Sequence, residues 1–159
     1  MQSADFNQLS LPSFKSLFAH LLPPQSSELK GIYQAEFVGP FWLRKTAGPF
    51  LALASFKGWW GKQFGGVEQG VNLFFRSGKL LALHPFTLTI MPSLVDDKPS
   101  VVIRYAPNAP FPWYFAQDEL RWFDDARTML LGLTILNKGI LRRLAFPFLL
   151  HPCDDIHDV

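Results

Sequence analysis

Apolar and polar positions follow two different rhythms along this chain. Between residues 9 and 22, Leu11, Phe14, Leu17, Phe18, Leu21 and Leu22 recur at spacings of three and four, which lines one face of a helix. Ser10 caps that stretch, Pro12 sits in its first turn, and Pro23-Pro24 stops it. Only Lys15 and His20 stand opposite the apolar stripe, so this helix is expected to pack on the domain rather than lie on a membrane. From residue 31 the period drops to two. Tyr33, Ala35 and Phe37 point one way and Gln34 and Glu36 the other, a half-buried strand over residues 31–38 ended by Gly39-Pro40. Residues 41–46 fit a short helix, which Gly48-Pro49 is expected to interrupt, leaving the apolar residues up to Phe56 unassigned.

After Gly58 strands and turns alternate. Strands are expected at 59–64, 71–76, 80–91, 100–105, 113–123, 128–136 and 146–150. Gly65-Gly66, the hairpin pair Ser77-Gly78, Asp96-Asp97-Lys98-Pro99, a Pro-rich connection at 108–112, residues 124–127 and Asn137-Lys138-Gly139 separate them. An antiparallel set of about eight strands either stacks as a sandwich or closes into a barrel. The interior of an eight-stranded barrel is filled by side chains or holds one small ligand. Aromatic residues make up 15% of the chain, with sixteen Phe and five Trp, and they favour closure around a cavity, although such rings also serve as plain core. The fold read from the pattern is therefore mainly β, an antiparallel barrel of about eight strands with one or two N-terminal helices.

At 159 residues the chain has room for one domain, taken as residues 1–159. Charged residues are only 18%, and a formal net charge of +2 gives no strong field for nucleic acid or anionic lipid. The apolar share of 48% excludes disorder, and the aromatic content excludes a coiled coil. The one cysteine, Cys153, excludes an internal disulfide framework and a Cys-based zinc cluster. Residues 1–7 carry no Lys or Arg and lead into no apolar run of signal length. The longest apolar runs, 49–56 and 144–150, fall far short of the ~20 residues of a membrane span. A cytoplasmic protein with no transmembrane segment is expected, its acidic tail at 154–159 frayed.

Candidate chemistry is sparse. The four histidines, His20, His84, His151 and His157, form no ligand-spaced pair, and the ligand-type residues between His151 and His157 lie in a polar tail, so no metal site is assigned. No G-x-S-x-G elbow exists, and the glycines between Gly58 and Gly66 match neither a phosphate loop nor a dinucleotide motif. No catalytic residue is assigned. The informative polar residues sit on strands. Asn72 and Arg76 share a face; Gln117, Glu119 and Arg121 share another, opposite Asp118, Leu120 and Trp122; Arg104 pairs in parity with Val102. If those polar faces turn inward, Arg76, Arg104, Glu119 and Arg121 converge in the lumen as a carboxylate- or headgroup-binding patch. Trp60, of the adjacent pair Trp59 and Trp60, and His84, alone on an apolar strand, complete the expected ligand-binding set. Gly132, in the middle of a strand, marks a bend or a close approach.

Three segments carry a family resemblance. They are Gly31-x-Tyr33-x-Ala35-Glu36-Phe37-Val38-Gly39-Pro40-x-Trp42-Leu43-Arg44, Gly58-Trp59-Trp60-Gly61-Lys62-x-Phe64, and Asp118-Glu119-Leu120-Arg121 through Leu130-Leu131-Gly132. Together they resemble a group of small uncharacterised bacterial proteins and, more distantly, the GXWXG family of lipocalin-like β-barrels, although Gly58-Trp59-Trp60-Gly61 is one residue tighter than the name-giving spacing. The resemblance implies a lipocalin-like (calycin-type) barrel and brings no established reaction or cofactor. The expected function is the binding of a hydrophobic or amphiphilic small molecule, such as a lipid-like compound, a pigment or haem, in the interior. One alternative is an enzyme using the same cavity, with Glu36, Glu119 or His84 as acid or base. Another is an interaction module that docks a partner subunit, a homodimer being one form of this, through residues 41–56 and 111–114. Nucleic acid is not an expected partner, since Arg142-Arg143 is the only adjacent arginine pair.

Overall fold

Two-residue alternation from Lys30 onward builds eight strands, each hydrogen-bonded to the next in sequence, and the last returns to the first. They are β1 (Lys30–Phe37), β2 (Trp59–Gly65), β3 (Gln69–Arg76), β4 (Lys79–Pro92), β5 (Pro99–Tyr105), β6 (Ala116–Trp122), β7 (Leu130–Leu136) and β8 (Ala145–Cys153). All pairs are antiparallel, and β8 closes the barrel on β1 in a register running from Ile32↔Cys153 to Phe37↔Phe148. The cylinder, not the two-layer sandwich, is the solution adopted. This computed structural model describes residues 6–66 and 68–154. The first five residues, part of the segment read as lacking a signal, and the acidic tail beyond Asp154, read as frayed, lie outside the described residues. Among the described residues no helix is long and apolar enough to cross a membrane.

Helix α1 (Leu11–Phe18) forms where the apolar spacing predicts it, with the Ser10 hydroxyl accepting from the Ser13 N–H and Pro12 in the first turn. It lies against the outside of the barrel, where Phe14 and Phe18 pack with Leu131, Leu133, Ile135, Ala145 and Leu149. Helix α2 (Phe41–Leu53) corrects the expected break at Gly48-Pro49, since it runs straight through both residues. The hydrogen bond that Pro49 cannot make falls at the exposed Lys45, whose carbonyl water can satisfy, so the proline costs little there. Trp113–Phe115 is a 3-10 turn rather than the start of β6, and Gly139–Arg143 is a second such turn ahead of β8.

The core has two compartments. Inside the barrel, Tyr33, Phe64, Phe74, Phe86, Ile103, Leu120, Trp122 and Phe148 meet; outside it, α1 seals the cluster just described. Strand β6 runs between the two and is buried along its whole length. Gly132 answers to close approach: a Cβ there would stand 2.2 Å from the Phe148 ring, which lies across the glycine on the lumen side.

Candidate functional site

Five of the eight strands, β2, β3, β5, β6 and β7, place one polar side chain each inside the apolar lumen. Lys62 on β2 extends its ammonium to Asp118 Oδ2 on β6 at 2.8 Å, to the Tyr105 hydroxyl on β5 at 3.0 Å and to Asn72 Oδ1 on β3 at 2.9 Å. Tyr105 in turn donates to Asp118 Oδ2 at 2.7 Å, and Thr134 on β7 donates to Asp118 Oδ1 at 2.7 Å. Trp59 Nε1 donates to Asn72 Oδ1 at 3.1 Å, while Asn72 Nδ2 donates to the His84 carbonyl at 2.9 Å. Lys62 is fully buried, with Phe86, Trp59 and Tyr105 rings about its ammonium. Three acceptors for three N–H groups leave this cation no free donor. Burial pushes its pKa down from the ordinary lysine value, and the Asp118 carboxylate pulls it back up. Burial, followed by the same carboxylate, pushes the Tyr105 phenol well above its ordinary value.

Above this network lies a cavity of about 290 Å³. Asp118, Thr134, Tyr105 and Trp59 form part of its floor; Phe37, Phe146 and Phe148 supply wall; one side of α2, from Trp42 to Leu51, roofs it. Trp42, Leu43, Thr46, Ala47, Phe50 and Leu51 have the spacing of a single helical face. The roof is fastened at its far end. Phe56 stacks on Trp113 at 3.9 Å between ring centroids, and Trp113 Nε1 donates to the Ala54 carbonyl at 2.7 Å. Arg44 Nε holds the near end through the Gly39 carbonyl at 3.1 Å.

The expected convergence of Arg76, Arg104, Glu119 and Arg121 in the lumen does not form. Parity grouped the β6 residues correctly, but the face that turns inward is Asp118, Leu120 and Trp122. Glu119 and Arg121 face outward and are nevertheless buried, because α1 and the β4–β5 turn cover them. Glu119 accepts from the Ser93 hydroxyl, from the Leu94 N–H at 2.8 Å and from Gln117 at 2.9 Å. Arg121 grips Asp96 with both terminal guanidinium nitrogens at 2.7 and 2.8 Å and donates to the carbonyls of Phe18 and Lys98. That grip holds the Asp96 carboxyl below its ordinary pKa. Arg104 is exposed on the barrel wall, and Arg76 sits at the rim, donating to the Lys57 carbonyl at 2.8 Å. His84 is half-buried at a positive φ of 56° where β4 slips register, its ring stacked on Phe56 at 4.9 Å; burial, then Arg76, lowers its pKa. Trp60 is half-buried and does not line the cavity, whereas Trp59 does. Of the seven residues singled out from sequence, Asn72 alone lends its side chain to the lumen network, and His84 joins it only through its backbone carbonyl.

Lys62, Asp118, Tyr105 and Thr134 are the lumen residues that sequence reasoning missed. Asp118 carried a legible mark, a carboxylate sharing parity with Leu120 and Trp122 on an apolar face. Lys62 shares parity with Phe64, which faces inward, but alternation alone puts Trp60 on that face, whereas a bulge between Trp59 and Gly61 puts Trp59 there instead. Glu36, read as a possible acid or base, is half-exposed on the barrel wall beside His151 at 2.7 Å. Among the described residues no group of three or more His, Cys, Asp and Glu is arranged to hold a metal ion.

No family model and no curated protein matches the chain. A crystal structure of a protein from Thermomonospora curvata is similar to it with a TM-score of 0.67, covering 94% of this chain and 92% of that one at 14% identity. At that identity the likeness speaks to architecture alone, a closed, calycin-like antiparallel barrel of eight strands.

Proposed function

We propose that this barrel binds a compact apolar molecule bearing one hydrogen-bond donor, a hydroxyl or an amine, in the cavity beneath α2. The observation that carries this reading is the Asp118 carboxylate with Thr134 at the floor of an otherwise apolar chamber. Asp118 Oδ2 already takes two donors, while Oδ1 takes only the Thr134 hydroxyl and keeps a lone pair for a ligand. A ligand carboxylate finds no cation there, since the ammonium of Lys62 is spent on its three neighbours. The volume of about 290 Å³ lies at the lower end of small-molecule sites, which span roughly 300–1,000 Å³. It suits a short acyl chain or a single ring system better than haem, for which the described lining offers no imidazole, thiolate or thioether.

Kinship with the GXWXG barrels is part of the same proposal. The resembling segments fall on β1 with the first turn of α2, on β2 and on the β6–β7 hairpin, which include Lys62, Asp118 and part of the roof. A cytoplasmic setting is proposed with it, where the thiol of Cys153, the chain's one cysteine, stays reduced. Nucleic acid is not among the proposed partners. The test is displacement of the uncharged fluorophore N-phenylnaphthylamine by chain-matched octanol, octylamine and octanoate. Octanol and octylamine are expected to compete at least tenfold better than octanoate, and Asp118→Asn is expected to erase the difference. Equal competition by all three, or no uptake of the fluorophore, overturns the reading.

A further inference from the structure

In an up-and-down barrel the connections fall alternately at two ends, and here those ends differ in charge. Residues 38–58, 77–78, 106–115 and 137–144 close the end roofed by α2; they include six Lys and Arg and no Asp or Glu. The opposite end holds Glu28, Glu68, Asp96, Asp97, Asp124, Asp125 and Asp154 against Lys98 and Arg127. A net charge of +2 therefore conceals a charge axis along the barrel. Most of the strongly exposed apolar side chains lie at the cationic end, with Leu22 the exception at the other. Leu53 is 90% exposed, Ile140 75%, Phe41 68%, Phe111 67% and Trp42 55%, all at the cationic end.

We infer that the α2 end of the barrel docks on an anionic lipid bilayer. Leu53, Phe41, Trp42, Phe111 and Ile140 enter the interface, while Lys45, Arg142 and Arg143, all exposed, meet lipid phosphates. Charge complementarity selects this occupant. A second copy set face to face places six cations against six with no carboxylate between them. A copy stacked end to end supplies carboxylates but few apolar side chains, and a nucleic acid supplies no apolar layer for Leu53 and Ile140. An anionic bilayer offers phosphate and hydrocarbon within one interface. Trp42 and Phe50 both line the cavity and reach its outside, so the docked face is also the side from which the cavity is roofed. The docking is argued from the surface alone and stands apart from the ligand reading.

Flotation of the full chain with vesicles of phosphatidylcholine, with and without phosphatidylglycerol, tests it. The protein is expected to float with the anionic vesicles and not with the neutral ones, and its fluorescence to shift to the blue unless Trp42→Phe is present. Lys45→Gln/Arg142→Gln/Arg143→Gln is expected to weaken partitioning by about fivefold per cation, roughly a hundredfold in all. Lys30→Gln/Arg104→Gln/Arg127→Gln, which removes the same charge elsewhere, is expected to change it little. Leu53→Asn/Ile140→Asn, at sites too exposed to matter for folding, is expected to lower it tenfold or more. Absence of flotation, equal loss in the two charge triples, or indifference to Leu53→Asn/Ile140→Asn overturns the proposal. So does lipid-free self-association that Leu53→Asn/Ile140→Asn abolishes, since that result makes the face a contact between copies. Octanol competition in the Lys45→Gln/Arg142→Gln/Arg143→Gln and Leu53→Asn/Ile140→Asn variants, none of whose positions lines the cavity, is expected to stay as in the parent chain, which keeps failure here distinct from failure of the ligand reading.

Discussion

Strand β6 carries two buried polar networks on its two faces, one residue out of step. Outward, Glu119 and Arg121 bind the β4–β5 turn and the C-terminal end of α1, and most of their partners are backbone groups or hydroxyls of neighbouring segments. Inward, Asp118 binds Lys62, Tyr105 and Thr134, side chains of three other strands, and faces a cavity. Both networks charge the fold a desolvation cost, which an ion pair offsets only when its geometry is good and its remaining hydrogen bonds are made. The outer one is a fastener, because it ties separate pieces of chain together and leaves no room beside it. The inner one ties only residues that the barrel already holds, and it keeps an acceptor turned toward empty space. Burial alone does not distinguish structural from functional charge; what borders the group does.

Perturbing the two faces separately tests that distinction. Lys62→Met leaves Asp118 buried without its cation and is expected to lower unfolding stability by about 4 kcal/mol in urea titration. Lys62→Met/Asp118→Leu is expected to regain most of that loss while abolishing the preference for octanol over octanoate. Arg121→Met is expected to cost about 3 kcal/mol, somewhat less because the side chain of Asp96 is 12% exposed, with octanol competition unchanged. Gly132→Ala forces the Phe148 ring off the strand toward the cavity and is expected to cost about 2 kcal/mol and to weaken fluorophore uptake.

The smallest effect lies in pH dependence. The raised pKa of Tyr105 means that its contribution is complete below the ordinary phenol pKa and is lost as pH rises beyond it toward the folded value. Lys62 has the opposite sign, since its lowered pKa makes stability rise with pH between the folded and ordinary lysine values. Tyrosinate absorbance is expected to show Tyr105 ionising only with alkaline unfolding. Tyr105→Phe is expected to remove that component at a neutral-pH cost of about 1 kcal/mol. Ordinary titration of Tyr105 in the folded protein contradicts the enclosed network described above.

Strand number, turns and α1 were legible because each is written locally, in alternation, Gly and Pro punctuation, and three-four spacing. The helix through Gly48-Pro49 was not, since what permits it is the exposure of Lys45 on the outer side of a roof that exists only once the barrel is closed. The site was half legible. Alternation separated Asp118 from Glu119 and Arg121 but carried no sign of which set faced in, because α1 buries the outer face and erases the contrast in hydrophobicity. Three charged or polar residues on one face looked more like a binding patch than one aspartate among Leu120 and Trp122. Lys62 keeps the phase of the inward Phe64, but the bulge exchanges Trp59 for Trp60 on that face, so alternation alone does not show the company it keeps.

The pairing of β1 with β8 bears on how the chain is made. Ile32 waits for Cys153, so the cylinder cannot seal until β8 has left the ribosome. Until then a growing curved sheet carries two open edges, and its aromatic inner face stays wet. Such an intermediate is a natural substrate for chaperones and a hazard when synthesis stalls before Ala145. Circular permutants that make β8 and β1 consecutive should shorten that vulnerable interval without altering the finished barrel.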